Sequence, residues 1–166
     1  MSTVKVNTAV YSATHVATNM LRGLKQIIAG CGLDASKLAE HWSVLEAGVS
    51  TWVGSGHLRE LILEVWSNTS PNKLIGRFDF TIDYSYYSDG EGELWLDPEA
   101  VAWAIKKSGS YPSSCDYRIV ADTTPGAPPV EGWSDTALRS TTGLRRHSIG
   151  TAIGGGSIGA GLSYWK

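Results

Sequence analysis

Histidine and cysteine are the residue types in this chain that could ligate a metal or take part in catalysis. They occur singly, as His15, His41, His57, His147, Cys31 and Cys115. Zinc ligands normally come in pairs separated by roughly two to five residues, and this sequence has no such pair. A catalytic set that meets only in space stays open. The sequence therefore predicts no metal site, no cofactor and no catalytic residue, which favours a non-enzymatic protein.

Two other motifs could bind an ion. Residues 154–159 read Gly-Gly-Gly-Ser-Ile-Gly, but Ala-Gly follows where a P-loop has the Lys-Ser/Thr pair that holds phosphates. The second motif is an acidic group that consists of Asp83, Asp89, Glu91, Glu93 and Asp97. It lacks the alternating acids of a calcium-binding loop. We interpret the first motif as a connector and the second as a hairpin tip followed by a helix cap.

Basic and aromatic residues favour binding over catalysis. The one compact basic group consists of Arg145, Arg146 and His147, with Arg139 nearby. It either contacts an acidic partner or lies on an exposed strand. The net charge of −2 argues against direct nucleic-acid binding. Trp133 and Trp165 lie in a glycine-rich segment, where anchored aromatics suggest docking points on the body or on a partner.

Glycine is concentrated at the C-terminal end. Of the 19 glycines, ten fall in residues 1–122 and nine in residues 123–166. The uncharged run 148–165 has six glycines and only four large aliphatic side chains, so we reject a transmembrane helix. With two cysteines and no signal-peptide pattern, we expect a cytoplasmic protein without a membrane partner.

Apolar spacing and capping residues predict three helices. The first runs from about Ser12 to Ala29, and the second covers 35–53 with Asp34 as its N-cap. The third begins after Asp97, has Pro98 at its first position and ends at Gly109. Residues 1–11 form a short strand or an ordered arm.

A short apolar run and alternating patterns predict the strands. Residues 58–66 and 74–86 form a long hairpin, and the second run alternates apolar and polar residues like a half-buried antiparallel strand. Residues 115–122 form another strand, followed by a proline-rich loop over 123–129. Residues 138–165 are strand-like in pieces.

The order of helix, helix, hairpin, helix, strand and pliable tail resembles a HORMA domain. Several segments are similar to the bacterial HORMA proteins of CBASS, the cyclic-oligonucleotide anti-phage systems: 11–16, 51–58, 94–97, 124–126, 130–134, 139–143 and 163–165. The resemblance covers the whole chain. It departs at Ala127-Pro128-Pro129, where the family pattern has Arg-Pro-Asp, which puts any role of that arginine in doubt.

The resemblance implies one α+β domain over 1–166, with an antiparallel β-sheet backed by three α-helices. Residues 1–122 would form the core with an N-terminal arm, and 123–166 a mobile C-terminal β safety belt. The belt would lie against the sheet in an open state or wrap a closure-motif peptide in a closed state. The peptide would add as a strand beside 115–122, touching Cys115, Tyr117, Ile119, Ala121, Trp133, Ile153, Ile158 and Trp165.

The resemblance also implies protein partners. The closed form would bind and activate a cGAS-like cyclic-oligonucleotide synthase (a nucleotidyltransferase) in anti-phage defence. A Trip-type AAA+ ATPase would grip the N-terminal arm through Ser2, Thr3, Val4, Lys5 and Val6 and unfold the closed state. The residues alone leave an alternative open, a tryptophan-rich β module that binds carbohydrate or another small ligand.

Overall fold

A computed structural model describes residues 3, 8–85, 95–155 and 158–166. The elements in these ranges are, in order, α1 (Thr8–Gly30), α2 (Ser36–Glu40), α3 (Trp42–Gly54), β1 (Leu58–Ser67), β2 (Ser70–Asp83), β3 (Trp95–Leu96), α4 (Pro98–Ser108), β4 (Cys115–Thr123), β5 (Arg146–Gly154) and β6 (Gly159–Trp165). Across the described ranges, no helix is both long and apolar enough to cross a membrane.

The helices differ from the sequence prediction in three respects. Helix α1 begins at Thr8, so it takes in residues that were expected to form a strand or arm. The predicted helix over 35–53 is interrupted at His41, whose φ of −110° and ψ of 15° leave the helical region, so the described part has four helices rather than three. Asp34 accepts a hydrogen bond from Ser36 N, but the N-cap position belongs to Ala35, whose side chain makes no cap.

Helix α4 confirms the predicted capping pattern. Asp97 Oδ1 accepts a hydrogen bond from Glu99 N at 2.9 Å, and Pro98 occupies the first helical position, where a missing N–H costs nothing. Lys106 and Lys107 occupy the last turn, before Gly109 at φ +75°. The other acids of the predicted hairpin tip, Asp89, Glu91 and Glu93, lie outside the described residues.

The strands form one six-stranded antiparallel sheet in the order β3-β5-β6-β2-β1-β4. The predicted β1–β2 hairpin is confirmed, with Leu63 paired to Phe78. Helix α1 lies against the apolar face of the sheet, where Gly23 allows a close approach: a Cβ there would stand 2.8 Å from Phe80 Cζ. The sequence-based α+β class, an antiparallel sheet backed by helices, is confirmed.

The second face of β2 is buried in the middle of the strand, at Arg77 and Asp79, which corrects the half-buried prediction there. Asp79 is 1% and Arg77 is 8% exposed, although both point away from the apolar side chains of the strand. Strand β6 pairs along β2 from Asp83 to Arg77 and brings Trp165 against them. A strand with neighbours on both sides and an indole on its polar face has little surface left for water.

Candidate functional site

Among the strands in the described residues, β4 lies at an edge of the sheet and pairs with β1 alone. Residues 124–145, which we call the crossing segment, contain neither helix nor strand and run from the end of β4 to the start of β5. In the described part of the chain, no backbone–backbone hydrogen bond joins the crossing segment to β4. At Tyr117 the backbone is already engaged by side chains, since its N–H donates to Asp116 Oδ1 at 2.8 Å and its carbonyl accepts from Lys37 Nζ at 3.3 Å. The rest of the outer backbone edge of β4 is left open to another extended chain.

Two adjoining cavities separate β4 from the crossing segment. One, of about 410 Å³, is lined by residues 119–123 of β4 and by 127–130 and 133–136 of the crossing segment, together with Trp52. The other, of about 510 Å³, lies between the crossing segment, residues 117–119 of β4 and the side chains of α2 and α3. Both include Ile119 and Trp133, so they adjoin, and we refer to the two together as the groove.

The groove combines apolar and charged side chains. Asp135 lines both cavities together with Ile119 and Trp133, and Leu38 and Leu45 line the second cavity. At one end Lys37 pairs with Asp116 at 3.0 Å, and at the other Arg59 pairs with Asp122 at 3.0 Å. Both pairs are largely exposed, so each contributes little stability.

Tyr117 closes the floor of the groove. Its hydroxyl donates to Asp34 O, and Lys37 Nζ lies 5.5 Å from its ring centroid. Burial raises the pKa of the Tyr117 hydroxyl, which therefore stays protonated and keeps donating. For Asp116 desolvation raises the pKa, but hydrogen bonds from Tyr117 N and Lys37 outweigh it and leave the carboxyl pKa lowered.

Trp133 fixes the crossing segment to α3. Its Nε1 donates to Val44 O at 2.9 Å, and its ring meets that of Trp52 edge-on at 4.9 Å between centroids. The indole lies against Gly48, where a Cβ would stand 2.3 Å from Trp133 Nε1. Trp52 Nε1 in turn donates to Pro128 O at 2.7 Å. The Trp133 indole can therefore pack in this position only because residue 48 is a glycine.

A buried ionic cluster fixes the crossing segment a second time. We call it the Glu64 centre, and it consists of Glu64, Arg118 and Arg139. Glu64 is 0% exposed and accepts hydrogen bonds from Arg118 Nε at 2.6 Å, Arg139 Nη1 at 2.9 Å and Arg139 N at 2.7 Å. Arg118 also donates to Thr136 Oγ1 at 2.9 Å and to Ala137 O. A carboxylate is tolerated at this depth because it is paired and hydrogen-bonded.

Arg139 has further partners on the same side of the sheet. Its guanidinium lies 3.7 Å from the Trp66 ring centroid, and its Nε donates to Pro71 O at 2.7 Å. The sequence prediction placed Arg139 on an exposed strand or against an acidic partner. The structure instead engages it within the chain, because the crossing segment passes directly over β1.

The C-terminal hairpin, strands β5 and β6, is attached differently. Strand β6 pairs residue by residue with β2, from Asp83↔Gly159 to Arg77↔Trp165. Trp165 Nε1 donates to Asp79 Oδ2 at 2.9 Å, and Arg77 Nε donates to Asp79 Oδ1 at 2.7 Å. Trp165 is therefore a docking point of the tail on the body, one of the two roles its sequence position suggested.

The structure brings four of the eight predicted peptide residues together: Tyr117, Ile119, Ala121 and Trp133 all line the groove. Cys115 begins β4 but lines neither cavity. Ile153, Ile158 and Trp165 belong to the C-terminal hairpin region, across the sheet from β4. Of the predicted arm, Thr3 is exposed, and Ser2, Val4, Lys5 and Val6 lie outside the described residues.

Sequence reasoning missed the α2 and α3 contributions to the groove and the whole Glu64 centre. The one signal for the latter was Glu64 itself, a charge inside the apolar run Leu-Ile-Leu-Glu-Val-Trp. An isolated carboxylate in such a run needs a cationic partner when the strand is central. The identity of that partner depends on the path of the crossing segment, 75 residues further along.

The nucleophilic and aromatic residues have ordinary environments. Burial raises the pKa of the Cys31 thiol to about 11, which keeps it protonated and unreactive at neutral pH. Among the described residues, no cluster of three or more His, Cys, Asp or Glu could hold a metal ion. Trp95 and Trp103 are exposed, whereas Trp52 and Trp66 are buried; the carbohydrate-binding alternative, which rests on exposed tryptophans, stays a prediction.

Comparisons with known proteins agree on one fold. The family model described as "Bacterial HORMA domain 2" matches residues 1–166. A chain of a mitotic checkpoint complex is 10% identical with a TM-score of 0.69, and the alignment covers 96% of each chain. HTP-2 of C. elegans, solved bound to a HIM-3 closure motif, is 15% identical with a TM-score of 0.66, over 97% of this chain and 92% of that one.

A bacterial structure matches as well. The structure of an E. coli MS115-1 HORMA:CdnC:Trip13 complex contains a chain 12% identical to this one, with a TM-score of 0.59, over 98% of this chain and 94% of that chain. No curated protein matches the sequence. The fold expected from the sequence resemblance is thereby confirmed.

Proposed function

The chain belongs to the bacterial HORMA domain 2 family, and from this premise we propose that it is a non-enzymatic switch protein that captures a closure-motif peptide in the groove beside β4. The open edge of β4 between two fixed ends of the crossing segment is the observation that supports it. A peptide laid along β4 would continue the sheet, gaining affinity from main-chain hydrogen bonds. Pockets for alternate side chains would supply specificity.

Residues 123–166 are the safety belt in this proposal, made of the crossing segment and the C-terminal hairpin. The crossing segment passes over the groove and is fixed on both sides of it, at Trp133 and at Arg139. We interpret this arrangement as the closed one, since a peptide on β4 would be enclosed by it. Opening requires that these side-chain contacts break, while the body keeps its own sheet.

We further propose a role in CBASS anti-phage defence, in the cytoplasm. The closed form would bind and activate a cGAS-like nucleotidyltransferase, and a Trip-type AAA+ ATPase would reopen it by pulling the N-terminal residues 2–6. The similarity in fold to a HORMA chain solved in complex with CdnC and Trip13 supports these two partners. Removal of residues 2–6 should abolish reopening by such an ATPase and leave peptide capture intact.

Peptide display tests the binding role. A phage library of random 12-residue peptides is panned on the full-length chain, and enriched peptides are measured by fluorescence anisotropy. Ile119→Arg places a charged side chain where both cavities meet and should weaken binding at least about tenfold, since an unpaired charge would be buried under the peptide.

The matched control is Thr151→Arg, at an exposed position of β5 away from the groove. It should bind the enriched peptides like the unchanged chain. Absence of any enriched peptide, or equal binding by Ile119→Arg, would overturn the proposed groove.

A further inference from the structure

The Glu64 centre joins the two walls of the groove at one buried carboxylate. Arg118 comes from β4, the strand that would receive a peptide, and Arg139 comes from the crossing segment that would cover it. We propose that the Glu64 centre is the latch of the belt, the contact that holds the crossing segment closed and sets how long a peptide stays in the groove. This inference rests on the proposed function and adds to it the contact that retains the bound peptide.

Glu64 depends on the belt for two of its three donors. Both Arg139 Nη1 and Arg139 N point at it, and only Arg118 Nε comes from the body. If Arg139 lets go while the rest of the crossing segment stays in place, a fully buried carboxylate loses both donors in one step. Removing a partner from a buried charge is costly, so a half-detached crossing segment is disfavoured and the contact is close to all-or-none.

Arg118 connects the latch to the groove. It follows Tyr117 and precedes Ile119, two residues that line the groove, and its guanidinium spans Glu64 and the crossing-segment atoms Thr136 Oγ1 and Ala137 O. Whatever displaces β4 in that region also moves the donor that holds 136–137. The strand that receives the peptide and the belt that covers it are thus tied to the same carboxylate.

The shape of Arg139 makes the latch specific to arginine. Its plane lies against Trp66 while Nε reaches Pro71 O and Nη1 reaches Glu64, three contacts in three directions. A lysine ammonium could keep the charge but not the planar fork and the stacking. Arg139→Lys should therefore restore only part of the latch.

Hydrogen–deuterium exchange of the full-length chain tests the latch without any peptide. In Arg139→Ala, the hydrogen-bonded amides of the crossing segment, such as those of Trp133 and residue 139, should exchange at least about tenfold faster. Loss of the buried pair exceeds the ~1.4 kcal/mol of one factor of ten. Arg139→Lys should fall between this variant and the unchanged chain. Amides of β1 and β2 should keep their protection, since their ladder is untouched.

Arg145→Ala is the matched control, an exposed belt arginine whose backbone bonds to Lys166 do not need the side chain. It should leave exchange unchanged. Equal exchange in Arg139→Ala and the unchanged chain would overturn the latch. A uniform rise over the whole chain would also overturn it, because that result indicates a general structural role.

The second measurement is the dissociation rate of a display-selected peptide. Arg139→Ala should release it at least about tenfold faster at a similar association rate, since the groove surface itself is kept. Unchanged release would overturn the retention role. If the unchanged chain binds no peptide, the proposed function fails, and the exchange experiment still decides whether the latch holds the crossing segment.

Discussion

The crossing segment and the C-terminal hairpin belong to one glycine-rich tail, yet they are attached to the body by different means. The hairpin is held by a backbone ladder along β2, with Asp79 and Trp165 buried at its end. The crossing segment is held by side chains, at Trp133 and at the Glu64 centre, and makes no backbone bond to β4 in the described residues. One half of the tail completes the sheet, and the other half is the part that would detach in the proposed switch.

The difference teaches where a switch can be built into a fold. Breaking a ladder exposes a row of N–H and C=O groups together with buried apolar surface, so it is coupled to global unfolding. Breaking the side-chain contacts of Trp133 and Arg139 leaves the backbone ladder of the body intact. Variants at the hairpin should therefore lower global stability, and variants at the crossing segment should change local opening.

Asp79→Ala should have the largest effect. It leaves Arg77 in a buried position with Glu60, 3.6 Å away, as its remaining carboxylate, and it removes the acceptor of Trp165 Nε1. We expect a loss of about 3–5 kcal/mol in the free energy of unfolding, measured by urea denaturation.

The matched control is Asp122→Ala, which breaks the exposed pair with Arg59 between β1 and β4. That change should cost at most about 1 kcal/mol. If the two substitutions cost the same, the carboxylate beneath the hairpin does not anchor it.

The local elements of the fold could be predicted from the sequence, whereas the contacts of the tail could not. A short apolar run identified β1, alternation identified β2, and Asp97 with Pro98 identified the start of α4, because these signals are local. The burial of Arg77 and Asp79 was invisible, since it depends on β6 pairing with β2 more than 75 residues away. Glycine content marked the tail, but it did not distinguish the half that pairs from the half that crosses.

Gly48→Ala should open the crossing segment without weakening the body. The added Cβ would stand 2.3 Å from Trp133 Nε1, so the indole must leave its seat. We expect the overpacking to cost about 1–3 kcal/mol in the packing of the crossing segment. The measurement is trypsin cleavage at Arg139 and Arg145, which should be faster than in the unchanged chain.

The same substitution should reverse its sign once Trp133 is Ala. With the indole removed, alanine within α3 gains about 1 kcal/mol over glycine from helix propensity, seen as a higher urea midpoint. Gly54→Ala is the control, because its Cβ would meet only Ala13 Cβ at an ordinary 3.6 Å. Unchanged cleavage in Gly48→Ala would mean that Trp133 does not hold the segment.

Trp133→Phe should have a smaller and purely local effect. It keeps most of the aromatic surface but loses the donor to Val44 O. We expect about 0.5–1.5 kcal/mol on the opening of residues 124–145, measured by exchange, and no change in the urea midpoint. Trp42→Phe, which loses a similar bond to Glu46 within α3, should leave the crossing segment unaffected; faster exchange there would contradict the assignment.

Glu60→Gln should produce the smallest effect, with a sign set by pH. Burial raises the pKa of Glu60, and the charge of Asp79 beneath the hairpin adds to it. Protonated Glu60 favours the folded state at low pH, and this stabilisation is lost as the pH rises through the folded pKa. At pH 7 the ionised carboxylate is thus a net cost, so glutamine should raise the free energy of unfolding by less than about 1 kcal/mol. The gain should vanish near pH 4, where the urea midpoints of the unchanged chain and of Glu60→Gln converge.

The control is Glu131→Gln on the exposed crossing segment, which should show no gain at either pH. A loss at pH 7 would mean that the pairing of Glu60 with Arg77, 3.6 Å away, outweighs burial under the hairpin.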